Sequence, residues 1–133
     1  MMTTLDVRDV AAVEQWMKRT LETLGGLDGL ANVAGVCRHG VPLVDVEDED
    51  WDVVMGVNAK GTFNCMRAAV YCMQSAAGGG GGGAIVNVAS IAGWKGLKGL
   101  SVYCASKHAV IGMSKAVAME VGGGRAEGRK DEV

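Results

Sequence analysis

Two short apolar segments, separated by 47 residues, most constrain what this chain can fold into. The first, LDGLANVAGV, begins at Leu27, and the second, AIVNVAS, covers residues 84–90. Each segment is short, apolar and bounded by glycine, so we expect buried strands near 27–33 and 84–90. A long helical pattern lies between them, as in proteins whose strands run parallel in one sheet. The sequence therefore predicts an α/β fold with a parallel sheet.

Three segments show the apolar spacing of helices that pack on one face. The first lies within residues 6–26, where Gly25 and Gly26 end the pattern. Two longer helices are predicted over about 49–76 and 101–121. The order of elements is therefore helix, strand, helix, strand and helix.

The second predicted helix carries its own signals for a start and an interruption. Asp45 or Asp48 is expected to cap it, and the acidic residues 47–50 suit the positive end of the helix dipole. Gly56 and Gly61 weaken the helical pattern and mark either a bend or a close packing contact.

Glycine and polar residues mark the segments outside these elements. Residues 1–7 are typical of the end of a strand that leads into a turn, and the glycine run at 78–83 is expected to be a flexible loop. Residues 122–133 are polar and glycine-rich, which predicts a disordered tail. We therefore expect one domain over residues 1–121, followed by that tail.

Charge and cysteine content exclude several classes of protein. The 133 residues carry a net charge of −2, so we expect no nucleic-acid partner. We find no signal peptide and no apolar segment long enough to span a membrane, and expect no membrane association. The four cysteines form no C-x-x-C pair and lack zinc-site spacing, so we predict no metal site and reduced thiols in a cytoplasmic protein.

Tyr103 and Lys107 lie four residues apart in the last predicted helix. Residues at this spacing share one helical face, so the two side chains are expected to project together. An ammonium beside a phenol favours the phenolate and lowers the phenol pKa from about 10. The pair is either a proton-transfer device or an incidental feature of the helix surface.

Other polar side chains are predicted at the ends of the strands, where open parallel sheets bind their ligands. Asn32 and Gly35 end the first strand, and Ser90 ends the second. Asn58 projects from the helix between the two strands. We therefore expect a site at the edge where these residues meet the tyrosine–lysine pair.

Four motifs, in this order and at this spacing, resemble the short-chain dehydrogenase/reductase family. They are NVAG at 32–35, VNAKGTF at 57–63, IVNVASIAG at 85–93 and YCASK at 103–107. The separation of thirteen residues between Ser90 and Tyr103 also suits the family. The resemblance covers residues 6–121 and implies part of a Rossmann-type three-layer sandwich with a parallel sheet.

The resemblance implies an NAD- or NADP-dependent oxidoreductase that interconverts a small alcohol and its ketone by hydride transfer. Tyr103 is the implied acid/base at the substrate oxygen, and Lys107 lowers its pKa and holds the nicotinamide ribose. Ser90 is the implied hydrogen-bond donor to the substrate oxygen, and Asn58 the anchor of a water that relays protons.

The resemblance also implies which residues contact the cofactor and which surfaces pair. In addition to Tyr103 and Lys107, the implied cofactor-binding residues are Asp6, Val7, Asn32, Ala34 and Gly35. Asp6 and Val7 match the positions beside the adenine ring, and the residues from Asn32 to Gly35 shape the strand end on the adenine side. The two long helices are the implied subunit contact, with a second copy or with a relative.

By comparison with the family pattern, we expect this chain to lack two parts, the N-terminal glycine-rich cofactor motif and the C-terminal third. The glycine-rich G-x-x-x-G-x-G turn, which lets a helix N-terminus approach the cofactor pyrophosphate, does not occur at its place after a strand. We therefore also predict that the chain is an internal fragment of the family fold. The alternative functions are an inactive, truncated homologue that pairs with a full-length relative, and a small binding domain of other ancestry.

Overall fold

The computed structural model describes residues 2–38, 40–75 and 82–122. In chain order, its elements are helix α1 (Val10–Leu24), strand β1 (Gly29–Asn32), helix α2 (Asp48–Met55), a π-helical segment (Gly56–Gly61), helix α3 (Thr62–Gln74), strand β2 (Ala84–Asn87) and helix α4 (Ser101–Gly122). The two strands pair in parallel, with Gly29 opposite Ala84 and Asn32 opposite Asn87. The predicted α/β class with a parallel sheet is confirmed.

Helix α1 has defined caps at both ends. The Asp9 carboxylate accepts a hydrogen bond from the Ala12 N–H at 3.1 Å, which satisfies one of the free donors of the first turn. At the other end, Gly25 adopts a left-handed φ of 77° and donates to the Leu21 carbonyl at 2.8 Å. The prediction that the glycine pair ends this helix is confirmed.

The core lies between α1, α3 and one face of the sheet. Its buried members come from α1, α3, β1 and the turn before β1, and are Val13, Met17, Leu27, Leu30, Cys65, Ala69, Cys72 and Met73. Burial raises the pKa of the Cys65 and Cys72 thiols. Both cysteines therefore serve as small apolar side chains in the core.

The prediction that the two segments form buried strands is only partly correct, because burial alternates along each strand. Leu30 and Asn32 are buried on one side of β1, whereas Gly29 and Ala31 on the other side are exposed. On β2, Val86 is 61% exposed. Helices α1 and α3 pack against the Leu30 face, whereas the side chains on the opposite face are exposed. Both strands are also shorter than predicted.

The predicted helix over 49–76 is divided into three parts. Helices α2 and α3 are joined without a break by the π-helical segment, which begins and ends at Gly56 and Gly61. A Cβ atom on Gly56 would lie 3.2 Å from Arg8 Cδ, and one on Gly61 would lie 3.0 Å from Val7 Cβ. The predicted close packing at these glycines is confirmed, and the segment Val7–Arg8 is its partner.

Neither Asp45 nor Asp48 caps α2, because the capping position is occupied by Glu47, whose side chain makes no capping bond. The predicted acidic first turn is confirmed, and it consists of Asp48, Glu49 and Asp50. These charges favour the positive end of the helix dipole, so α2 begins without a side-chain cap.

Three further predictions concern the chain ends and the glycine run. The predicted strand end at residues 1–7 is wrong for the described residues 2–7, which form no strand and do not join the sheet of β1 and β2. Helix α4 extends to Gly122, one residue into the predicted tail; residues 123–133 and 78–81 lie outside the described residues. Among the described residues, no helix is long and apolar enough to cross a bilayer.

Substitution of Gly61 by alanine should destabilise the fold, because the new methyl group would overlap Val7. We expect a loss of about 1–3 kcal/mol in the free energy of unfolding, measured by urea titration. Gly112→Ala is the matched control, since open space surrounds Gly112 within α4 and the change should stabilise by about 0.5–1 kcal/mol. Equal effects of the two changes would contradict the packing argument.

Candidate active site

Lys107 of α4 is the most deeply buried charged side chain in the described part of the chain, at 5% exposure. Its Nζ donates a hydrogen bond to the Val88 carbonyl oxygen at 2.9 Å, immediately after β2. Burial lowers the pKa of Lys107, and the electrostatic influence of the nearby Cys37 partly opposes this shift. The ammonium is therefore held at the carboxyl end of the sheet by a backbone dipole.

Tyr103 lies one helical turn before Lys107 and is half-buried. The Lys107 Nζ atom is 5.7 Å from the centroid of the Tyr103 ring. The two side chains therefore lie on the same side of α4, as their spacing predicts. In this position, a cation interacts both with the aromatic ring and with any charge on the phenol oxygen.

Ser90 follows β2 and begins the short 3₁₀ turn Ile91–Gly93. Its Oγ accepts a hydrogen bond from the Ala92 N–H at 3.2 Å, which leaves the hydroxyl proton available for donation. The turn packs tightly on α4, since a Cβ atom on Gly93 would lie 2.8 Å from the Lys107 carbonyl oxygen. Ser90 is therefore a local cap, and its turn also contacts the helix that carries the tyrosine–lysine pair.

Asn58 lies within the π-helical segment and is fully buried. Its Oδ1 accepts from the Val36 N–H at 2.8 Å, and its Nδ2 donates to the Val36 carbonyl oxygen at 2.8 Å. The second Nδ2 proton goes to Ser106 Oγ on α4 at 3.0 Å. Asn58 therefore joins the loop after β1 to α4.

Gly35 brings that same loop against Lys107. A Cβ atom built on Gly35 would lie 3.4 Å from both Lys107 Nζ and Asn58 Oδ1. The absence of a side chain here keeps the space beside the ammonium open. Ala34, the preceding residue, is exposed at the same strand end.

The remaining candidate residues are held by contacts of their own. Asn32 is buried, and its Nδ2 donates to Asn87 Oδ1 at 2.7 Å across the two strands. The exposed Asp6 carboxylate accepts hydrogen bonds from the Arg8 side chain and backbone, which lower the pKa of Asp6. Val7 packs on Gly61 of the π-helical segment. The described contacts of these three residues do not include the tyrosine–lysine pair.

Sequence reasoning missed two members of the polar network. Ser106 is fully buried and donates to the Tyr103 carbonyl oxygen at 2.8 Å. Asn87 accepts from Asn32 and donates to Ser114 Oγ at 2.9 Å. Both residues lie inside the recognised motifs. Nothing in the spacing identifies Asn58, 48 positions away, as the partner of Ser106, or Ser114, 27 positions away, as the partner of Asn87.

The parallel sheet, with helices on one face and polar groups at its strand ends, defines a Rossmann-type α/β protein. A family model described as short chain dehydrogenase matches residues 1–125. The chain belongs to the short-chain dehydrogenase/reductase family.

Relatives of known sequence and structure agree with this assignment. The chain is 44% identical over 123 residues to the short-chain dehydrogenase/reductase ABA4 of Pyricularia oryzae, a match that covers 90% of this chain and 44% of that protein. It is 40% identical to a 3beta-hydroxysteroid dehydrogenase of Mediterraneibacter gnavus, over 86% of this chain and 40% of the relative. The chain therefore spans less than half the length of these relatives.

Two solved structures superpose on most of the chain. The structure of ElxO with NADP bound gives a TM-score of 0.84 at 34% identity, and covers 90% of this chain and 47% of that one. Carveol dehydrogenase from Mycobacterium avium in complex with NAD gives a TM-score of 0.85 at 35% identity, and covers 90% and 42%. The predicted family and its Rossmann fold are confirmed.

The buried ammonium predicts how stability depends on pH. Lys107 has a lowered pKa in the folded protein, so the unfolded chain binds more protons between that value and the ordinary value of 10.5. The free energy of unfolding should therefore rise with pH across this window. At pH values below the window, the full cost of burying the charged ammonium lowers the stability of the folded protein. Urea titrations of wild type and Lys107→Met, from pH 7 to 10.5, measure the difference. A difference that does not change with pH would contradict the assignment.

Proposed function

We propose that the chain provides the catalytic part of an NAD- or NADP-dependent oxidoreductase that interconverts a small alcohol and its ketone. The observation that carries the proposal is the buried Lys107 ammonium, which is fixed by the Val88 carbonyl oxygen and faces Tyr103. A buried cation needs a reason, because burial without strong pairing is costly. Stabilisation of a phenolate is such a reason.

Tyr103 is the proposed acid/base. In the direction of reduction, its hydroxyl gives a proton to the substrate oxygen; in the direction of oxidation, its phenolate accepts one. Lys107 stabilises the phenolate by its positive charge. The attraction is strengthened because the Lys107 side chain beside the ring is buried from water. Ser90 donates its free hydroxyl proton to the same substrate oxygen, where negative charge develops.

Asn58 is the proposed support of this arrangement. Both protons of its side-chain Nδ2 are already used in hydrogen bonds, one to the Val36 carbonyl oxygen and one to Ser106 Oγ. A water bound at Asn58 must therefore donate its proton to an Asn58 oxygen, which still has a free lone pair. Asn58 would therefore anchor the relay water as a hydrogen-bond acceptor, and the water itself would carry the proton.

The described residues fit the nicotinamide end of the cofactor. Lys107 uses one of its three protons on Val88, which leaves two for the ribose hydroxyls, and Gly35 keeps the adjacent space open. NAD or NADP bound there supplies or accepts the hydride. ElxO and carveol dehydrogenase, solved with NADP and NAD, support a nicotinamide cofactor. The sequence contains no glycine-rich turn for the pyrophosphate end.

Cofactor binding and a tyrosine variant test the proposal together. Titration of the protein into NADH or NADPH should change the cofactor fluorescence. With a panel of alcohols and ketones, Tyr103→Phe should keep cofactor binding and reduce turnover by at least about 100-fold, because the acid/base is removed.

Tyr71→Phe is the matched control. Tyr71, the only other tyrosine, is 77% exposed on α3, so its loss should leave both binding and turnover unchanged. Equal turnover of the Tyr103→Phe protein and the wild type, or wild type that binds neither cofactor, would refute the proposed activity.

A second candidate function follows from the open sheet face. Parallel sheets are normally covered on both faces, yet Gly29, Ala31 and Val86 are exposed here. We propose as the alternative an inactive homologue that pairs with a longer member of its family. Under this alternative, the chain alone binds neither cofactor, and tagged chain co-expressed with a full-length family member recovers it. Cofactor binding by the chain alone would exclude this candidate.

A further inference from the structure

Helix α4 carries two serines that make the same pair of hydrogen bonds. Ser106 Oγ donates to the Tyr103 carbonyl oxygen at 2.8 Å and accepts from Asn58 Nδ2 at 3.0 Å. Eight residues later, Ser114 Oγ donates to the Val110 carbonyl oxygen at 2.7 Å and accepts from Asn87 Nδ2 at 2.9 Å. Two asparagine–serine bridges, about 12 Å apart along the helix, therefore join α4 to the rest of the molecule.

The two bridges differ in burial and in what they hold. Asn58 and Ser106 are both fully buried, and the asparagine uses both of its N–H protons. Ser114 is only partly buried, and Asn87 also contacts Asn32. Loss of the Ser106 hydroxyl would leave a buried N–H group without a partner, which costs its full desolvation energy.

The Asn58–Ser106 bridge lies at the level of the tyrosine–lysine pair. Its serine is the residue before Lys107, and it bonds the carbonyl oxygen of Tyr103. On the other side, Asn58 holds both the N–H and the carbonyl oxygen of Val36. Hydrogen bonds therefore run without a break from the loop after β1 to the turn of α4 between Tyr103 and Lys107.

We propose that Ser106 is the positioning residue that sets this turn of α4 in register with the loop after β1, through Asn58. The geometry that this register maintains is the position of Gly35, where a Cβ atom would lie 3.4 Å from both Lys107 Nζ and Asn58 Oδ1. Ser106 itself faces neither the open space beside Lys107 nor solvent, since it is fully buried. The effect of this register on catalysis rests on the proposed function. The positioning of α4 by Ser106 does not depend on that function.

A set of serine variants distinguishes positioning from ordinary packing. Ser106→Ala removes the hydroxyl, and Ser106→Cys keeps nearly the same volume with a much weaker hydrogen-bonding group. Ser114→Ala removes the equivalent bond from the other bridge. Urea titration of each variant shows which proteins fold and how far each is destabilised.

The decisive measurement is the titration of the Lys107 amine, followed by NMR of ¹⁵N-labelled lysine side chains. We expect both Ser106 variants to raise the Lys107 pKa by about half a unit or more, as water reaches the loosened ammonium. Ser114→Ala should leave it within about 0.2 units of wild type, even if it destabilises the fold equally. An unchanged Lys107 pKa in both Ser106 variants, or the same shift in Ser114→Ala, would overturn the proposal.

Cofactor binding gives a second readout that depends on the proposed function. NADH binding should weaken about ten-fold in the Ser106 variants and less than two-fold in Ser114→Ala, since an error in register of α4 displaces Lys107. If wild type binds neither NADH nor NADPH, the proposed function fails, and the Lys107 titration still decides the role of Ser106. Unchanged NADH binding in a Ser106 variant would contradict the proposal.

Discussion

The fully buried amide of Asn58 is the interaction on which the arrangement of the strand ends depends. It holds the backbone of Val36 by two hydrogen bonds, as a neighbouring strand would, and joins it to α4. An amide buried among apolar groups is tolerated only when its donors and acceptor are satisfied, and here they are. This requirement admits few relative positions of the loop, the π-helical segment and α4. The buried network therefore specifies geometry more than it adds stability.

The π-helical segment makes this network possible. It lies where Gly56 approaches Arg8, and where Gly61 approaches Val7 so closely that a side chain on Gly61 would overlap it. Such segments rearrange the helical hydrogen bonds locally and are frequent at functional sites. Here the segment delivers Asn58 between two other elements, while α2 and α3 continue on each side as one helical unit.

The sheet presents two different environments on its two faces. One face carries Leu30 and Asn32 and is covered by helices, whereas the other carries the exposed residues Gly29, Ala31 and Val86. An uncovered parallel sheet with unpaired edges is prone to association. Its edge backbone groups can hydrogen-bond to another chain, and its apolar side chains can be buried against one. The same feature explains why prediction of the strands from their apolar composition was only partly successful: Val86 is apolar but not buried.

The sequence by itself determined the order of the three helical regions and the two parallel strands, and the shared face of Tyr103 and Lys107, because these follow from local periodicity and from spacing of one helical turn. The boundaries of α1 are also local, since Asp9 caps its start with its carboxylate and Gly25 ends it in a left-handed conformation. Only the tertiary structure decided that Lys107 bonds the Val88 carbonyl oxygen, that Ser106 accepts from Asn58, and that one sheet face is open. These contacts join residues 19 and 48 positions apart, and the packing of whole elements, which no local pattern encodes, brings such residues together.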